Sequence, residues 1–255
     1  MTATISALII TCNEEKNIKD CLDSIKWCDE IVVVDSYSKD KTVEICRQYT
    51  EKVFQREFDN FAAQRNYALE KVTGDWVLVV DADERVTKEL KDEIKEVIST
   101  NNFIQAYKIP RKNYFLGKWI KYCGWYPDYV LRLFRNNGVS YSGLVHELPD
   151  IKGQIYHLKN SLIHYTYDNL EHYLQKINQY TSLAAEDMHQ KGKDKCLIYI
   201  LIRPLLEFLK KYIFKKGFLL GRQGLFLSII SSYYQFIKYI KLWEKNKILS
   251  KQDNK

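Results

Sequence analysis

Trp76-Val77-Leu78-Val79-Val80-Asp81-Ala82-Asp83-Glu84 is an apolar run that stops abruptly at two carboxylates one residue apart. A short apolar run bounded by polar residues is the pattern of a buried strand. The β-branched content of Trp76 to Val80 suits the centre of a parallel sheet. In open α/β sheets ligands gather just beyond the carboxyl ends of the strands, so Asp81 and Asp83 fall where a ligand belongs. Two hard oxygen donors there suit Mg²⁺ or Mn²⁺, ions held by one or two carboxylates together with substrate phosphates. Asp is also common in the loop after any strand, and Asp-x-Asp by itself is a weak signal.

The same grammar occurs twice upstream. Ile5 to Thr11 is apolar and ends in Thr11-Cys12-Asn13-Glu14-Glu15; Ile31 to Val34 ends in Asp35-Ser36-Tyr37-Ser38-Lys39-Asp40-Lys41-Thr42. Helical patterns follow each. Ile18, Leu22 and Ile25 recur at helical spacing, Thr42 to Tyr49 follows Asp40 as a candidate N-cap, and Phe61 to Val72 reads as a third helix. Three strands separated by helices make a βαβ series. The expected fold is α/β, a mostly parallel sheet flanked by helices, with the three acidic tips aligned along one edge.

The motifs Thr11-Cys12-Asn13-Glu14-Glu15, Val34-Asp35-Ser36-Tyr37-Ser38-Lys39-Asp40-Lys41-Thr42, Gln64-Arg65-Asn66-Tyr67-Ala68, Gly74-Asp75-Trp76 and Asp81-Ala82-Asp83-Glu84 together resemble a family 2 glycosyltransferase of the nucleotide-sugar-binding GT-A type. Farther on, the chain carries Gly124-Trp125-Tyr126-Pro127-Asp128, Arg132-Leu133-Phe134-Arg135, Val145-His146-Glu147 and His164-Tyr165-Thr166-Tyr167. These are similar to the lipopolysaccharide core beta-1,4-glucosyltransferases of Gram-negative bacteria. The resemblance covers about the whole length and is strongest to residue 180. It implies a GT-A catalytic domain over 1–167 and a helical, basic extension over 168–255.

Charge is unevenly distributed. From Lys191 onward there are 15 Lys and Arg against 4 Asp and Glu, a net +11, which leaves −4 for residues 1–190 of a chain whose total is +7. Apolar runs interleave with the basic groups, and residues 223–237 hold no charge. Those 15 residues are fewer than the roughly 17–25 of a spanning helix. Leu205, Phe208, Leu209, Tyr212 and Ile213 mark one helix face beside Lys210 and Lys211, the composition of a helix that lies in the membrane interface. Packing of this extension on protein is the competing expectation. No motif accompanies the charge to indicate nucleic acid. A signal peptide is not expected, because the first apolar run is short and meets Glu14 and Glu15. Six Cys at 12, 21, 28, 46, 123 and 196 form no Cys-x-x-Cys pair, which fits reduced, mostly buried thiols in the cytoplasm; with the basic tail, the expected location is the inner face of the cytoplasmic membrane.

The resemblance implies roles for single residues. Asp83 is the direct metal ligand, and Asp81 contacts ribose or a metal-bound water. Asp35 lies against the base, Asn13 and Glu14 lie near base and ribose, and Thr11 joins them at the donor. His164 completes the metal or diphosphate contacts, with His146 as its rival. Arg65 suits a bidentate hold on diphosphate; a surface ion pair is its plainer role. Deprotonating an acceptor hydroxyl needs a positioned base, for which Glu147 is favoured and Asp128 is the alternative. Trp119, Trp125 and Tyr126, in a stretch rich in aromatics, could pack on sugar rings, with Arg132 as a further acceptor contact; strand core explains many of these rings equally well. The expected reaction is metal-assisted, inverting transfer of a hexose, glucose from UDP-glucose, to a lipopolysaccharide or lipooligosaccharide inner-core acceptor. Another cell-surface polysaccharide or lipid-linked glycan is the alternative acceptor. A sugar nucleotidyltransferase needs a glycine-rich phosphate loop near the N-terminus, whereas residues 1–30 contain no Gly. A non-catalytic, membrane-associated nucleotide-binding adaptor is disfavoured by the intact Asp81/Asp83 pair.

Overall fold

The computed structural model of the chain describes residues 3–100, 103–143, 148–167, 169–192 and 197–252. In chain order the elements are β1 (Ile5–Thr11), α1 (Ile18–Ile25), β2 (Glu30–Asp35), α2 (Thr42–Cys46), β3 (Val53–Gln55), α3 (Phe61–Leu69), β4 (Trp76–Val79), β5 (Glu84–Val86) and α4 (Lys88–Thr100). Then come β6 (Ile104–Phe115), β7 (Lys118–Trp119), β8 (Asp128–Arg135), β9 (Tyr141–Ser142), β10 (Leu148–Pro149), β11 (Gln154–His157), β12 (Leu162–Tyr167), α5 (Leu170–Gln190), α6 (Leu197–Leu209) and α7 (Arg222–Gln252). The chain forms two compact units: Met1–Lys112 with Pro127–Tyr165, and Asn113–Tyr126 with Thr166–Lys255. The second unit thus takes in 113–126 besides the C-terminal helices.

The main sheet runs β3-β2-β1-β4-β8-β6-β12-β5. Its first four strands are parallel, whereas β8 is antiparallel to both β4 and β6, and β12 to β5. The α/β class expected from the sequence is what forms, as a mixed sheet with helices around it.

Period-two alternation sorts the side chains of β1 to both faces. Ile5, Ala7 and Ile9 pack with Ile18, Leu22 and Ile25 of α1, Leu78 of β4, and Leu90 and Ile94 of α4. Leu8 packs on the other face with Val32, Val34, Val77 and Val79, and with Ala62 and Ala68 of α3. A strand buried on both faces reads as a continuous apolar run, which is why β1, β2 and β4 were legible. Asn60 caps α3, its side chain accepting from the Ala63 N–H at 2.8 Å. The helices expected over Thr42 to Tyr49 and Phe61 to Val72 close earlier. Gln48 and Tyr49 bond three residues back rather than four, as do Lys71 and Val72, the tightened last turn by which helices end.

In the second unit, Phe115, Ile120 and Cys123 pack with Leu220 and Leu227, while Ala185, Ile200, Tyr239 and Leu242 make a second cluster. A π-helical turn (Lys210–Phe214) and a 3₁₀ turn (Gly217–Leu220) connect α6 to α7. Ser232 donates to the Pro204 carbonyl at 2.8 Å, and the Tyr199 and Tyr239 rings lie 6.4 Å apart, so α6 and α7 form an antiparallel hairpin. Among the described residues no helix is long and apolar enough to cross a membrane.

Candidate active site

Strand register brings the acidic tips together. Thr11 of β1 lies opposite Asp35 of β2, and Leu8 opposite Val79 of β4, so all three chains leave the sheet at one edge. The first two tips are then laced by hydrogen bonds. Asn13 N–H donates to Ser38 Oγ at 2.8 Å, Lys39 N–H to Asn13 Oδ1 at 2.8 Å, and Glu14 N–H to Thr42 Oγ1 at 2.8 Å. Glu15 N–H donates to Asp40 Oδ2 at 3.1 Å, and Asp40 Oδ1 also accepts from the Thr42 N–H at 3.0 Å. Asn13 and Tyr37 both adopt left-handed backbone, φ 55° and 54°. Asn tolerates that region through its short polar side chain, but for Tyr it is strained, and such strain concentrates at ligand clamps.

Asp35 is fully buried at the end of β2. Its carboxylate accepts from the Ser38 N–H at 2.9 Å, from the Ser38 hydroxyl, and from Gln55 Nε2 at 3.2 Å. Thr11 is buried beside it, its hydroxyl without a hydrogen-bond partner among the described residues.

At the third tip an alternating chain of charges runs through the first unit. Arg65, inward on α3, donates to Asp81 Oδ1 at 3.1 Å. Arg132 of β8 pairs with Asp81 Oδ2 and donates to Glu84 Oε1 at 2.8 Å. Arg111 of β6 reaches Glu84 Oε1 at 3.4 Å and clamps Asp128 Oδ2 through Nε at 2.9 Å and Nη2 at 2.6 Å. Glu84 is fully buried and accepts the Asp81 N–H at 3.0 Å, which folds the Asp-x-Asp loop back on itself. Burial pushes the Asp81 carboxyl up, but Arg132 and then Arg65 outweigh it and hold it well below the usual carboxylate range. Burial likewise opposes the charge on Arg132, and Asp81 and Glu84 overcome that and keep the guanidinium protonated.

The structure therefore places Arg132, expected among the acceptor contacts, in the interior, where it ties two carboxylates. Asp81, expected at ribose or metal, meets guanidinium groups on both oxygens. Arg65, for which a surface ion pair was the plainer expectation, is buried against Asp81. Asp83 has Oδ2 3.3 Å from His164 Nε2, and its carbonyl accepts the Tyr165 N–H at 3.0 Å. β12 thus brings His164 to the loop. Among the described residues no group of three or more His, Cys, Asp and Glu gathers as a metal cluster. A carboxylate beside an imidazole would fit a divalent cation that takes its remaining ligands from substrate phosphates, and the imidazole favours Mn²⁺ over the oxygen-seeking Mg²⁺.

Glu147 and His146 lie outside the described residues. Trp119, Trp125 and Tyr126 belong to the second unit. There the Trp119 and Tyr126 rings meet edge to face at 5.4 Å, and Trp125 packs on Phe115 at 6.1 Å. Glu84 and Arg111 were missed from sequence. Glu84 carried a signal, a third acid immediately after Asp-x-Asp. Arg111 carried none, because its role depends on lying opposite Asp128 across the β6–β8 ladder.

Comparison with known proteins identifies the family. The family described as Glycosyl transferase family 2 matches residues 6–146. An uncharacterized glycosyltransferase of Rickettsia typhi is 30% identical over 94% of this chain and 87% of its own length. The lipopolysaccharide core biosynthesis glycosyltransferase LpsC of Rhizobium meliloti is 28% identical over 95% of this chain and 93% of its own. A solved glucosyl-3-phosphoglycerate synthase from Mycobacterium tuberculosis superposes with a TM-score of 0.38, at 26% identity over 43% of this chain and 44% of that one, an overlap too partial to bear on mechanism. With a family match that covers the strand tips, the intervening helices and the charged chain, this protein belongs to glycosyl transferase family 2.

Proposed function

We propose that the protein is an inverting, metal-dependent hexosyltransferase that moves glucose from UDP-glucose to the inner core of a lipopolysaccharide or lipooligosaccharide, working on the inner face of the cytoplasmic membrane. The observation that carries the reading is the register that sets Thr11, Asp35 and the Asp81–Glu84 loop along one sheet edge. Its extension to a lipid-linked core acceptor is supported by the likeness to LpsC over nearly the whole length of both chains.

Donor binding follows from the chemistry of the tips. Asn13 and Glu14 offer acceptors to ring N–H and ribose hydroxyl groups, with Thr11 beside them; Asp35, fully buried on Ser38 and Gln55, would reach the base only if that cover opens. Asp83 and His164 would hold a divalent cation, which when bound neutralises charge on the departing diphosphate. Arg65 and Arg132 act as positioning residues: they fix Asp81, and through it the loop that presents Asp83. Glu147 takes the proton of the acceptor hydroxyl, and attack from the face opposite the leaving group inverts the anomeric carbon. Asp128, aimed by Arg111, is the competing base. Trp119, Trp125 and Tyr126 offer aromatic faces to the acceptor glycan.

A radiolabelled transfer assay with UDP-glucose and extracted lipid acceptor tests this. Label should pass to lipid, and chelator or Asp83→Ala should abolish the transfer. A chain that binds UDP yet transfers nothing to any lipid-linked glycan would be the adaptor; transfer only to a different surface polysaccharide would reassign the acceptor.

A further inference from the structure

From Phe208 to Trp243 the chain has 36 residues, seven Lys or Arg and no acid. Its middle, the connection between α6 and α7 with the first turn of α7, is unusually apolar on the outside. Ile213, Phe214, Phe218, Leu219, Leu225 and Phe226 are all exposed, Phe214 at 78%. Lys215, Lys216 and Arg222 are exposed among them. Isolated apolar residues on a surface need no explanation, but a contiguous set rimmed by one sign of charge marks an interaction site.

The backbone here is built to hold that set out. Lys216 is left-handed at φ 56°, and Gly221 at φ 64°. Gly217 packs where a Cβ would stand 2.8 Å from both Cys123 Sγ and the Lys211 carbonyl. Gly224 faces Gly217 so closely that a Cβ would sit 1.8 Å from its carbonyl oxygen. Lys211 turns inward and donates to the Cys123 carbonyl at 3.0 Å. The tip is therefore a braced turn with its large side chains directed away from the brace.

We propose that this tip, residues 213–226, docks on an anionic phospholipid bilayer, with its Phe and Leu side chains entering the boundary between headgroups and acyl chains and Lys215, Lys216 and Arg222 engaging lipid phosphates. Charge complementarity selects that occupant: a positive, aromatic-rich tip with no acid in its own sequence matches a negatively charged interface. The inference gives the membrane association proposed above its contact surface, and so rests on that part of the reading.

The test is flotation of the full chain with phosphatidylcholine vesicles, with and without phosphatidylglycerol. Binding is expected only to the anionic vesicles and should weaken with salt. Lys215→Gln, Lys216→Gln and Arg222→Gln together should lower the partition on the order of a hundredfold, each basic group near such a surface being worth about fivefold. Phe214→Ser with Leu219→Ser should abolish flotation while leaving the circular dichroism spectrum and Tm unchanged, both side chains being exposed. A Phe214→Trp variant should show fluorescence that brominated lipid quenches. Anionic vesicles that bind both multiple variants as well as the parent would overturn the assignment to this tip and leave membrane association standing. No flotation at all would overturn membrane association itself. A concentration-dependent dimer lost in the Phe214→Ser, Leu219→Ser variant, without flotation, would give the surface to a second copy. Equal binding to neutral vesicles, or competition by soluble glycerophosphate, would remove the role of bilayer charge.

Discussion

Arg132 holds two carboxylates at once, Asp81 and Glu84, and these flank Asp83. Removing one partner of a buried pair leaves the other charge uncompensated, which costs about 3 kcal/mol. Arg132→Met should therefore lower stability by about that amount in urea unfolding, partly offset because Asp81 keeps Arg65 and Glu84 keeps Arg111. Arg132→Lys should recover only part of the loss, since a single ammonium lacks the planar fork that bridges both acids. A variant as stable as the parent would show that the chain of charges is ornamental. For the base, Glu147→Gln should keep UDP affinity and cut kcat by roughly 10²–10⁴; near-normal turnover in that variant, with the loss found instead in Asp128→Asn, would move the role to Asp128. Arg65, Asp81, Asp128 and Arg132 were singled out from sequence in separate roles, but nothing there assembled them with Glu84 and Arg111 into one charged chain. Its members come from α3, β4–β5, β6 and β8, and no spacing along the chain records which strands become neighbours.

At the scale of elements, Glu30 shows how one residue ties a sheet together at the end remote from the tips. From the start of β2 it accepts the Ser6 hydroxyl of β1, the Lys52 ammonium before β3, and the Thr73 N–H and hydroxyl at 2.8 and 2.9 Å before β4. Burial raises its carboxyl, but these donors outweigh that and bring it down to about 2. A carboxyl depressed on folding contributes stability that is fully present above its unfolded value and is lost as pH falls toward the folded one. Here the window runs from about 4.3 down to about 2. Glu30→Gln should thus cost about 2 kcal/mol at neutral pH and flatten the acid limb across that window, measured by denaturant melts at stepped pH. The same acid dependence in both proteins would show that another carboxyl governs it. The parallel core around β1 was legible because strands buried on both faces advertise themselves as unbroken apolar runs. The antiparallel insertion of β8 between β4 and β6 was not, because Asp128–Arg135 reads as a strand without naming its neighbours.

For the molecule as a whole, the two units carry different chemistry. The first holds the sheet edge and the charged chain; the second holds the aromatics proposed for the acceptor and the basic, apolar tip of the α6–α7 hairpin. If the tip serves only to bring the enzyme to a lipid surface, losing it should matter only when the acceptor is on one. The Phe214→Ser, Leu219→Ser variant should then act on the de-acylated, soluble acceptor glycan with kcat/KM within about twofold of the parent. On the same glycan borne by anionic vesicles it should fall on the order of tenfold or more, because confinement to a surface raises the effective concentration of a bound partner without any new contact. Raising the ionic strength should narrow the parent's advantage on vesicles and leave the soluble reaction alone, as screening weakens the attraction of exposed basic groups to the bilayer. An equal fall on both acceptors would mean that the tip shapes the catalytic machinery rather than its location, and the division of labour between the units would have to be abandoned.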